Sequence, residues 1–492
     1  MSTRAVDNMK VLMLNPPYFP RYSRQSRSPC VTKGGTFYYP YLLAYATGVL
    51  DKSGFDVGLV DAVAKGWTHE QTADFAKKIN PGLVVIDTST PSIYNDVKMA
   101  DEIKNVLPNT HISLVGTHPT NLPLETMKMS KVIDSVCMDE YDFTVRDLAK
   151  ALESGSGTYE VEGITYRKGA RIKTNKPRPR IRNLDELPFV SEVYKKHLNI
   201  RDYFYASLMY PQVTILTARG CPFNCSFCNS PFKASYRPRS AENVVEEFEY
   251  IRNELPGVRE IMIEDETFPA NRKRTKELCE LIIKSKTDLK WSCNARVDTD
   301  LELMKTMKKA GCRLMCVGFE SPKQSVLKNI HKGTTRDMQL RFMANTRKAG
   351  LLINGCFILG LPGDTKETIA DTVEFAKELN PDTAQFYPIM VYPGTEAYGW
   401  AKNNSYLTTE DYSRWNTVDG LHNTTISRPG LTDGELLKLC DEARRIFYMR
   451  PKYVAKKMVQ SVMKPGELKR NMKSSKTFFR HILLKKERVR GA

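Results

Sequence analysis

The sequence predicts an α/β protein with two successive arrays of parallel strands and a basic helical end. Short apolar runs rich in Val, Ile and Leu alternate with helix-type stretches over 10–150 and again over 211–400. Continuous apolar runs separated by helices are typical of parallel sheets covered on both faces. The chain has 492 residues, 41% of them hydrophobic and 26% charged, which excludes a disordered or fibrous protein.

The first array, which we assign to residues 1–153, contains five expected strands. They are the runs 10–15, 56–62, 83–89, 111–117 and 134–138. Their alternation with helices predicts a Rossmann-like domain, in which ligands lie beyond the carboxyl ends of the strands. Three polar residues stand at such ends and are expected to share one ligand-binding rim: Asn15, Thr88 and Thr117.

Residues 154–210 break this rhythm with Gly, Pro and basic residues. They predict a hairpin over 160–174, turning near Lys168 and Gly169, and then a proline-rich connector. Six further apolar runs lie between 212 and 391, again separated by helical stretches. We therefore expect a second domain over 211–404, built as a barrel or partial barrel of βα units.

A tight cysteine group lies in the loop after the first strand of the second array. Cys221, Cys225 and Cys228 form the pattern C-x3-C-x2-C, and no further Cys or His follows until Cys279. Clustered thiolates are soft ligands suited to zinc or iron–sulfur. A closed structural zinc site needs four ligands, whereas three leave one iron of a 4Fe–4S cluster open to a substrate or cofactor. A zinc knuckle or three buried cysteines is the plainer alternative.

This loop resembles the cluster loop of radical S-adenosylmethionine (SAM) enzymes, which follows the first strand of a partial βα barrel. Later segments resemble that family in the same order, namely IEDETF, CNARVD, VGFES and GCFILGLPGDT. The resemblance implies a 4Fe–4S cluster on the three cysteines and a SAM site at the carboxyl ends of the strands. Phe227 offers an apolar ring beside the cluster. The implied SAM contacts are Asp265 and Glu266 for the methionine amino group, Asn294, Arg296 and Glu320 for the ribose and amino acid part, and Gly360 beside the adenine. The two adjacent acids are alternatively plain solvated carboxylates.

The first domain resembles the cobalamin-binding domain of the B12-dependent branch of that family. The D-x-H-x-x-G motif, which supplies a histidine to cobalt, is missing from the sequence. The resemblance therefore implies cobalamin bound over the Asn15, Thr88 and Thr117 rim without a histidine ligand, and His118 is expected to be a neutral rim residue. A domain that has kept the fold and lost the corrin is the alternative.

The resemblance implies reductive cleavage of SAM and hydrogen abstraction from an unactivated C–H bond of a substrate. The segment 22–44 and the basic C-terminal helices further resemble a subgroup acting on hopanoid and lipid headgroups, which favours a lipid or lipid-linked intermediate as substrate. A cobalamin-dependent methyltransferase of a small-molecule natural product is an alternative, and an RNA-modifying iron–sulfur protein is another. A reductant such as flavodoxin or ferredoxin is the implied partner.

The last segment, 405–492, is expected to be helical and increasingly basic. Residues 444–492 contain 16 Lys and Arg but only two acids, Glu467 and Glu487, so this tail carries +14 of the net +18. Basic amphipathic helices are typical of anionic membrane surfaces. A stripe that packs on the barrel is the alternative. Nucleic acid is disfavoured as a partner because no RNA-binding module is recognisable.

The N-terminus has no long apolar segment, and no run in the sequence reaches the length of a membrane-spanning helix. We therefore expect a cytoplasmic protein, peripheral to the inner face of the membrane if the tail binds lipid. The remaining cysteines are scattered, which does not predict a disulfide framework. Those expected to pack in cores are Cys293, Cys312, Cys316 and Cys356, with Cys30 and Cys137 isolated.

Overall fold

The computed structural model describes residues 9–158, 160–230, 232–233 and 235–463. Its first domain is a parallel sheet with the strand order β2-β1-β3-β4-β5, which confirms the Rossmann-like prediction. The strands are β1 (Lys10–Asn15), β2 (Asp56–Asp61), β3 (Leu83–Thr88), β4 (His111–Gly116) and β5 (Ser135–Cys137). The helices are α1 (Tyr41–Lys52), α2 (Ala62–Lys65), α3 (His69–Ile79), α4 (Ile93–Val106), α5 (Thr117–Asn121), α6 (Pro123–Met129) and α7 (Asp142–Ser154).

Both faces of this sheet are buried, as the continuous apolar runs predict. In β1, Val11 and Met13 pack in one core, whereas Leu12 and Leu14 pack in the other. This alternation follows from the two-residue period of a strand. The strand order reverses between β1 and β3, so the carboxyl ends of these strands form the crevice in which such sheets bind ligands.

The predicted hairpin forms strands β6 (Ile164–Lys168) and β7 (Arg171–Thr174), with Gly169 at positive φ in the turn. It is more than a connector, because β6 pairs antiparallel with β5 and extends the first sheet to seven strands. The connector that follows holds helix α8 (Val190–His197), which packs against α1.

The second domain is an open barrel of six parallel strands in chain order, as the sequence predicts. These strands are β8 (Gln212–Ile215), β11 (Glu260–Ile263), β12 (Lys290–Ala295), β13 (Cys312–Gly318), β14 (Leu352–Leu359) and β15 (Thr383–Pro388). Two short strands, β9 (Ala218–Arg219) and β10 (Arg237–Pro238), pair antiparallel around the cysteine loop. The helices are α9 (Ala241–Glu254), α10 (Arg272–Ser285), α11 (Leu301–Lys309), α12 (Gln324–Asn329), α13 (Arg336–Ala349), α14 (Lys366–Leu379) and α15 (Glu396–Asn403).

The C-terminal region differs from its prediction in where helices begin. Residues 405–432 form loops with a single 3-10 turn at Tyr412–Trp415, because Thr, Asn and Gly in this stretch favour turns. Helix α16 (Asp433–Tyr448) then packs on β15 and α14 through four buried residues, so its apolar stripe belongs to the fold. Helix α17 (Pro451–Met463) follows, and the basic tail from 464 onward lies outside the described residues. None of the described helices has the length and apolar character needed to cross a bilayer.

Candidate functional site

The cysteine loop is closed at its base by the β9–β10 pair. Gly220 precedes Cys221 at φ +93°, and a Cβ there would lie 1.9 Å from the Ser235 carbonyl oxygen, so only glycine allows this close approach. Within the loop the Cys228 N–H donates to the Cys225 carbonyl at 3.2 Å. The three thiols are free and half-buried, which leaves their sulfur atoms accessible to a ligand.

The loop suits thiolate ligands of an iron–sulfur cluster. Burial raises the pKa of the Cys221 and Cys228 thiols, and each thiol also receives a backbone N–H, from Phe223 and Ser230 respectively. Cys225 raises the pKa of both neighbours, so the three sulfurs lie within electrostatic reach of one another. Bound iron favours the deprotonated form and relieves this repulsion. Over the described part of the chain, no three or more His, Cys, Asp or Glu side chains converge tightly enough for a single metal ion.

A cavity that is partly open to solvent lies between the carboxyl ends of the two sheets. The first domain contributes the ends of β3 and β4, the barrel contributes the end of β11, and the cysteine loop contributes the residues after Cys228. The cavity is lined by Arg24, Gln25, Ser26, Arg27, Tyr41, Leu42, Asp87, Thr88, Gly116, Thr117, Tyr141, Leu216, Asn229, Ser230, Phe232, Glu264 and Glu266.

Two of the three rim residues predicted from the sequence line this cavity. Thr88 and Thr117 face it, and between them Gly116 adopts φ +117°, where a Cβ would lie 2.2 Å from the Thr88 carbonyl oxygen. Asn15 is buried. Its amide N–H donates to Asp61 at 2.9 Å, and its amide oxygen accepts from Arg24 at 2.9 Å. Asn15 therefore supports the rim from behind.

His118 is fully buried beside Tyr412, whose ring centroid lies 5.0 Å from that of the imidazole. Its Nδ1 lies 3.4 Å from the Thr90 hydroxyl. Burial lowers the pKa of His118 to about 3, so the ring is neutral at physiological pH. This environment agrees with the neutral histidine expected from the sequence.

The acids after β11 have different environments. Asp265 is buried and accepts the Thr217 N–H and hydroxyl, both at 2.6 Å, and the Ala218 N–H at 3.1 Å. It therefore fastens the chain that leads into the cysteine loop. Glu266 lines the cavity and accepts the Ser230 hydroxyl at 2.7 Å and the Gly220 N–H at 3.1 Å.

Glu264 was missed by the sequence reasoning, although it lines the same cavity. One of its carboxylate oxygens accepts the Asn294 amide at 3.3 Å, whereas the other has no hydrogen-bond partner among the residues that the structure describes. Burial raises the pKa of Glu264 to about 7. The sequence does contain a signal for Glu264. Side chains alternate between the two sides of a strand, so Glu264 and Glu266 lie on the same side of the chain and Asp265 lies on the other.

The other predicted SAM contacts surround the opposite side of the cysteine loop. Arg296 lies over the Phe223 ring, 3.5 Å from its centroid, and donates to the Lys332 carbonyl at 2.8 Å. Glu320 is buried at φ +63° and accepts the Lys332 ammonium at 2.8 Å, and its second oxygen has no partner within the described part of the chain. Such a backbone conformation is strained for glutamate and is typical of functional sites.

Gly360 and Phe227 have packing partners. Gly360 adopts φ +87°, and a Cβ there would lie 2.6 Å from the Leu436 side chain of α16. Phe227 is half-buried and packs against the larger core. Of the eight remaining cysteines, Cys356 is partly exposed and seven are buried, namely Cys30, Cys137, Cys279, Cys293, Cys312, Cys316 and Cys440.

The bridging segment, residues 22–31, belongs to the basic and aromatic stretch that the sequence singles out, and it runs through the space between the domains. On the first-domain side Arg24 forms a buried ion pair with Asp96, and the Gln25 amide donates to Asp87 at 2.7 Å. On the barrel side Arg27 donates to the Asp265 carbonyl at 2.9 Å. The basic and aromatic composition of this segment was visible in the sequence, but its pairing with distant acids was not.

Comparison with known proteins connects this arrangement to a family. Residues 28–149 match the B12 binding domain, and residues 215–376 match the radical SAM superfamily. An uncharacterized methyltransferase of Pyrococcus horikoshii is 32% identical over 91% of this chain and 94% of its own length. An anaerobic magnesium-protoporphyrin IX monomethyl ester cyclase of Cereibacter sphaeroides is 31% identical over 84% of this chain and 67% of its own.

A solved structure has the same fold along most of its length. The radical SAM methyltransferase TsrM of Kitasatospora setae, with cobalamin and a [4Fe-4S] cluster bound, superposes with a TM-score of 0.67 at 17% identity and covers 88% of this chain and 91% of its own. The chain therefore belongs to the radical SAM superfamily, in the branch with a B12-binding domain, and is an enzyme whose cofactors are a 4Fe–4S cluster, SAM and cobalamin.

Proposed function

We propose that this chain is a cobalamin-dependent radical SAM methyltransferase that acts on a small molecule. The observation that carries the proposal is the shared cavity, in which Thr88, Gly116 and Thr117 of the corrin rim face Ser230 of the cluster loop and Glu264. When bound, the cluster supplies the electron that cleaves SAM, and cobalamin carries a methyl group. A substrate in this space has both cofactors within reach.

The residues of the chain have separate tasks in this proposal. We assign the cluster to Cys221, Cys225 and Cys228. We assign SAM to the group formed by Glu266, Asn294, Arg296 and Glu320, with Gly360 and Phe227 as packing support, and we assign Asp265 to holding the loop that presents the cluster. We assign the corrin to the rim of Thr88 and Thr117, supported by Asn15.

Methyl transfer has more support than the lipid-directed hydrogen abstraction that the sequence favours. The P. horikoshii relative is named a methyltransferase, and so is the structural neighbour, which is solved with cobalamin bound. The cyclase relative, in contrast, is named for ring formation. Ring formation after hydrogen abstraction is therefore the second candidate reaction.

The experiment uses SAM with an isotopically labelled methyl group. The full chain is purified anaerobically with its cluster and cobalamin, and is then given reductant and, in parallel reactions, the small-molecule fraction or the RNA fraction of a cell extract. We expect 5′-deoxyadenosine, label in the protein-bound corrin, and label in an extracted small molecule. Formation of 5′-deoxyadenosine without label in the corrin would favour the cyclase-type reaction. Label that appears only in RNase-sensitive material would favour RNA modification.

We further propose that flavodoxin or ferredoxin supplies the electron and that the C-terminal region contacts anionic membranes. The membrane contact is supported by the exposed apolar side chains Met449, Met458 and Val459 on and beside α17, which stand among Lys and Arg residues in the sequence. Because α16 packs on the barrel, any membrane surface must begin after it. Co-sedimentation with vesicles of anionic or neutral lipid across a salt series tests this, and equal recovery in the supernatant with both vesicle types would exclude it.

A further inference from the structure

The bridging segment places one cation against the cluster side of the cavity. Arg27 is exposed and is one of the residues that line the cavity. Its hydrogen bond to the Asp265 carbonyl at 2.9 Å holds the guanidinium next to Asp265, whose side chain in turn accepts from Thr217 and Ala218 ahead of the cysteine loop. The cavity wall continues from Arg27 to Asn229 and Ser230, directly after Cys228.

The groups around this guanidinium are acidic. Glu264 and Glu266 line the same wall, and together with Cys228 they stabilise the charge of Arg27. In return Arg27 lowers the pKa of the Cys228 thiol, as does Lys233 from the far side of the loop. The reduction potential of an iron–sulfur cluster rises with nearby positive charge, because one-electron reduction adds negative charge to it.

We infer that Arg27 is a positioning residue that raises the reduction potential of the cluster, and that the first domain thereby contributes to the electronics of the barrel's cofactor. The inference rests on the cluster assignment made above, but not on methyl transfer. Loss of the guanidinium leaves Glu264 and Glu266 uncompensated beside the cluster. A residue that only packs would have no such effect on the potential.

The test is a potentiometric titration of the full chain carrying both cofactors. Electron paramagnetic resonance monitors the titration, because it distinguishes the signal of the reduced cluster from that of cobalt. We expect R27Q to shift the midpoint potential of the cluster to more negative values. R27K keeps a positive charge, so its midpoint potential is expected to stay close to that of the unaltered chain. The matched control is R21Q, which removes the same charge from an exposed position six residues earlier. Its potential is expected to equal that of the unaltered chain.

Each possible outcome supports or overturns the inference. Equal potentials in R27Q and the unaltered chain would overturn it. If R27Q does not hold four irons while R27K does, a cation beside the cluster is required, which supports it. If R27K also loses the cluster while R21Q keeps it, Arg27 acts by packing and the inference falls. These results do not decide the proposed methyl transfer, because that proposal is tested separately by label in the corrin.

Discussion

Arg219 and Asp142 form a two-pronged ion pair that joins the two domains at the cluster loop. The guanidinium donates to the carboxylate of Asp142 at 2.7 and 3.0 Å, and both side chains are buried. Arg219 lies two residues before Cys221, and Asp142 is the first residue of α7 in the first domain. The position of the cluster relative to the corrin rim therefore depends on this contact.

We expect Asp142→Asn to destabilise the fold by about 3–5 kcal/mol, because it leaves a buried guanidinium short of its main counter-charge. Glu140, 3.7 Å from Arg219, compensates in part. Unfolding of the cofactor-free protein in denaturant measures the change. The matched control is Glu378→Gln, which breaks the exposed ion pair with Arg336 and is expected to change stability little. Equal effects of the two substitutions would contradict this role for the pair.

Replacing Cys221, Cys225 and Cys228 together by Ala is expected to abolish cluster binding, because no thiolate then remains in the loop. Iron content, the visible absorbance of iron–sulfur and formation of 5′-deoxyadenosine measure the loss. Replacing buried Cys312 by Ala is the control and should leave all three readouts in place. A triple variant that still cleaves SAM reductively would refute the cluster assignment.

Gly116→Ala is expected to reduce cobalamin retention strongly. The added Cβ would lie 2.2 Å from the Thr88 carbonyl oxygen at a backbone angle that favours glycine, so the rim must deform. Gly58→Ala is the matched control, because Gly58 lies in β2 of the same sheet and nothing is within 4 Å of its added Cβ. The corrin absorbance after gel filtration compares the two variants, and equal retention would argue against this rim as the corrin site.

His118→Gln is expected to leave cobalamin bound, because the imidazole is buried beside Tyr412 and does not line the cavity. The absorbance spectrum of the bound corrin should be the same as in the unaltered protein. A changed cobalt spectrum in a folded variant would show that this histidine reaches the metal.

The raised pKa of Glu264 predicts that the free energy of unfolding depends on pH. Its pKa is raised by burial from 4.5 to about 7, so the unfolded chain releases this proton at lower pH than the folded chain. The free energy of unfolding should therefore fall as pH rises from 4.5 to 7, by about 3 kcal/mol from this group. Glu264→Gln should remove that part of the slope. Thermal unfolding of the cluster-free protein across this range checks it, and parallel curves for the two proteins would contradict it.

The sequence by itself determined the two sheets and the cluster loop. Each strand of both arrays is a local run of apolar residues, because a strand that is buried on both faces needs apolar side chains at successive positions. The three cysteines stand within eight residues, so their common loop needs no distant contact to be visible.

The tertiary structure decided which polar residues share the cavity. Glu264, Arg27 and Thr88 are far apart in the chain, and only the docking of the two sheet edges brings them together. Likewise, the two-residue period separates Asp265 from Glu266, but it does not say which of the two faces the cavity. In the folded chain Asp265 accepts the backbone N–H groups of Thr217 and Ala218, and Glu266 faces the cavity. Hydrogen bonding and ion pairing at a domain interface depend on the direction of each side chain in the folded state, and this direction is set by long-range packing.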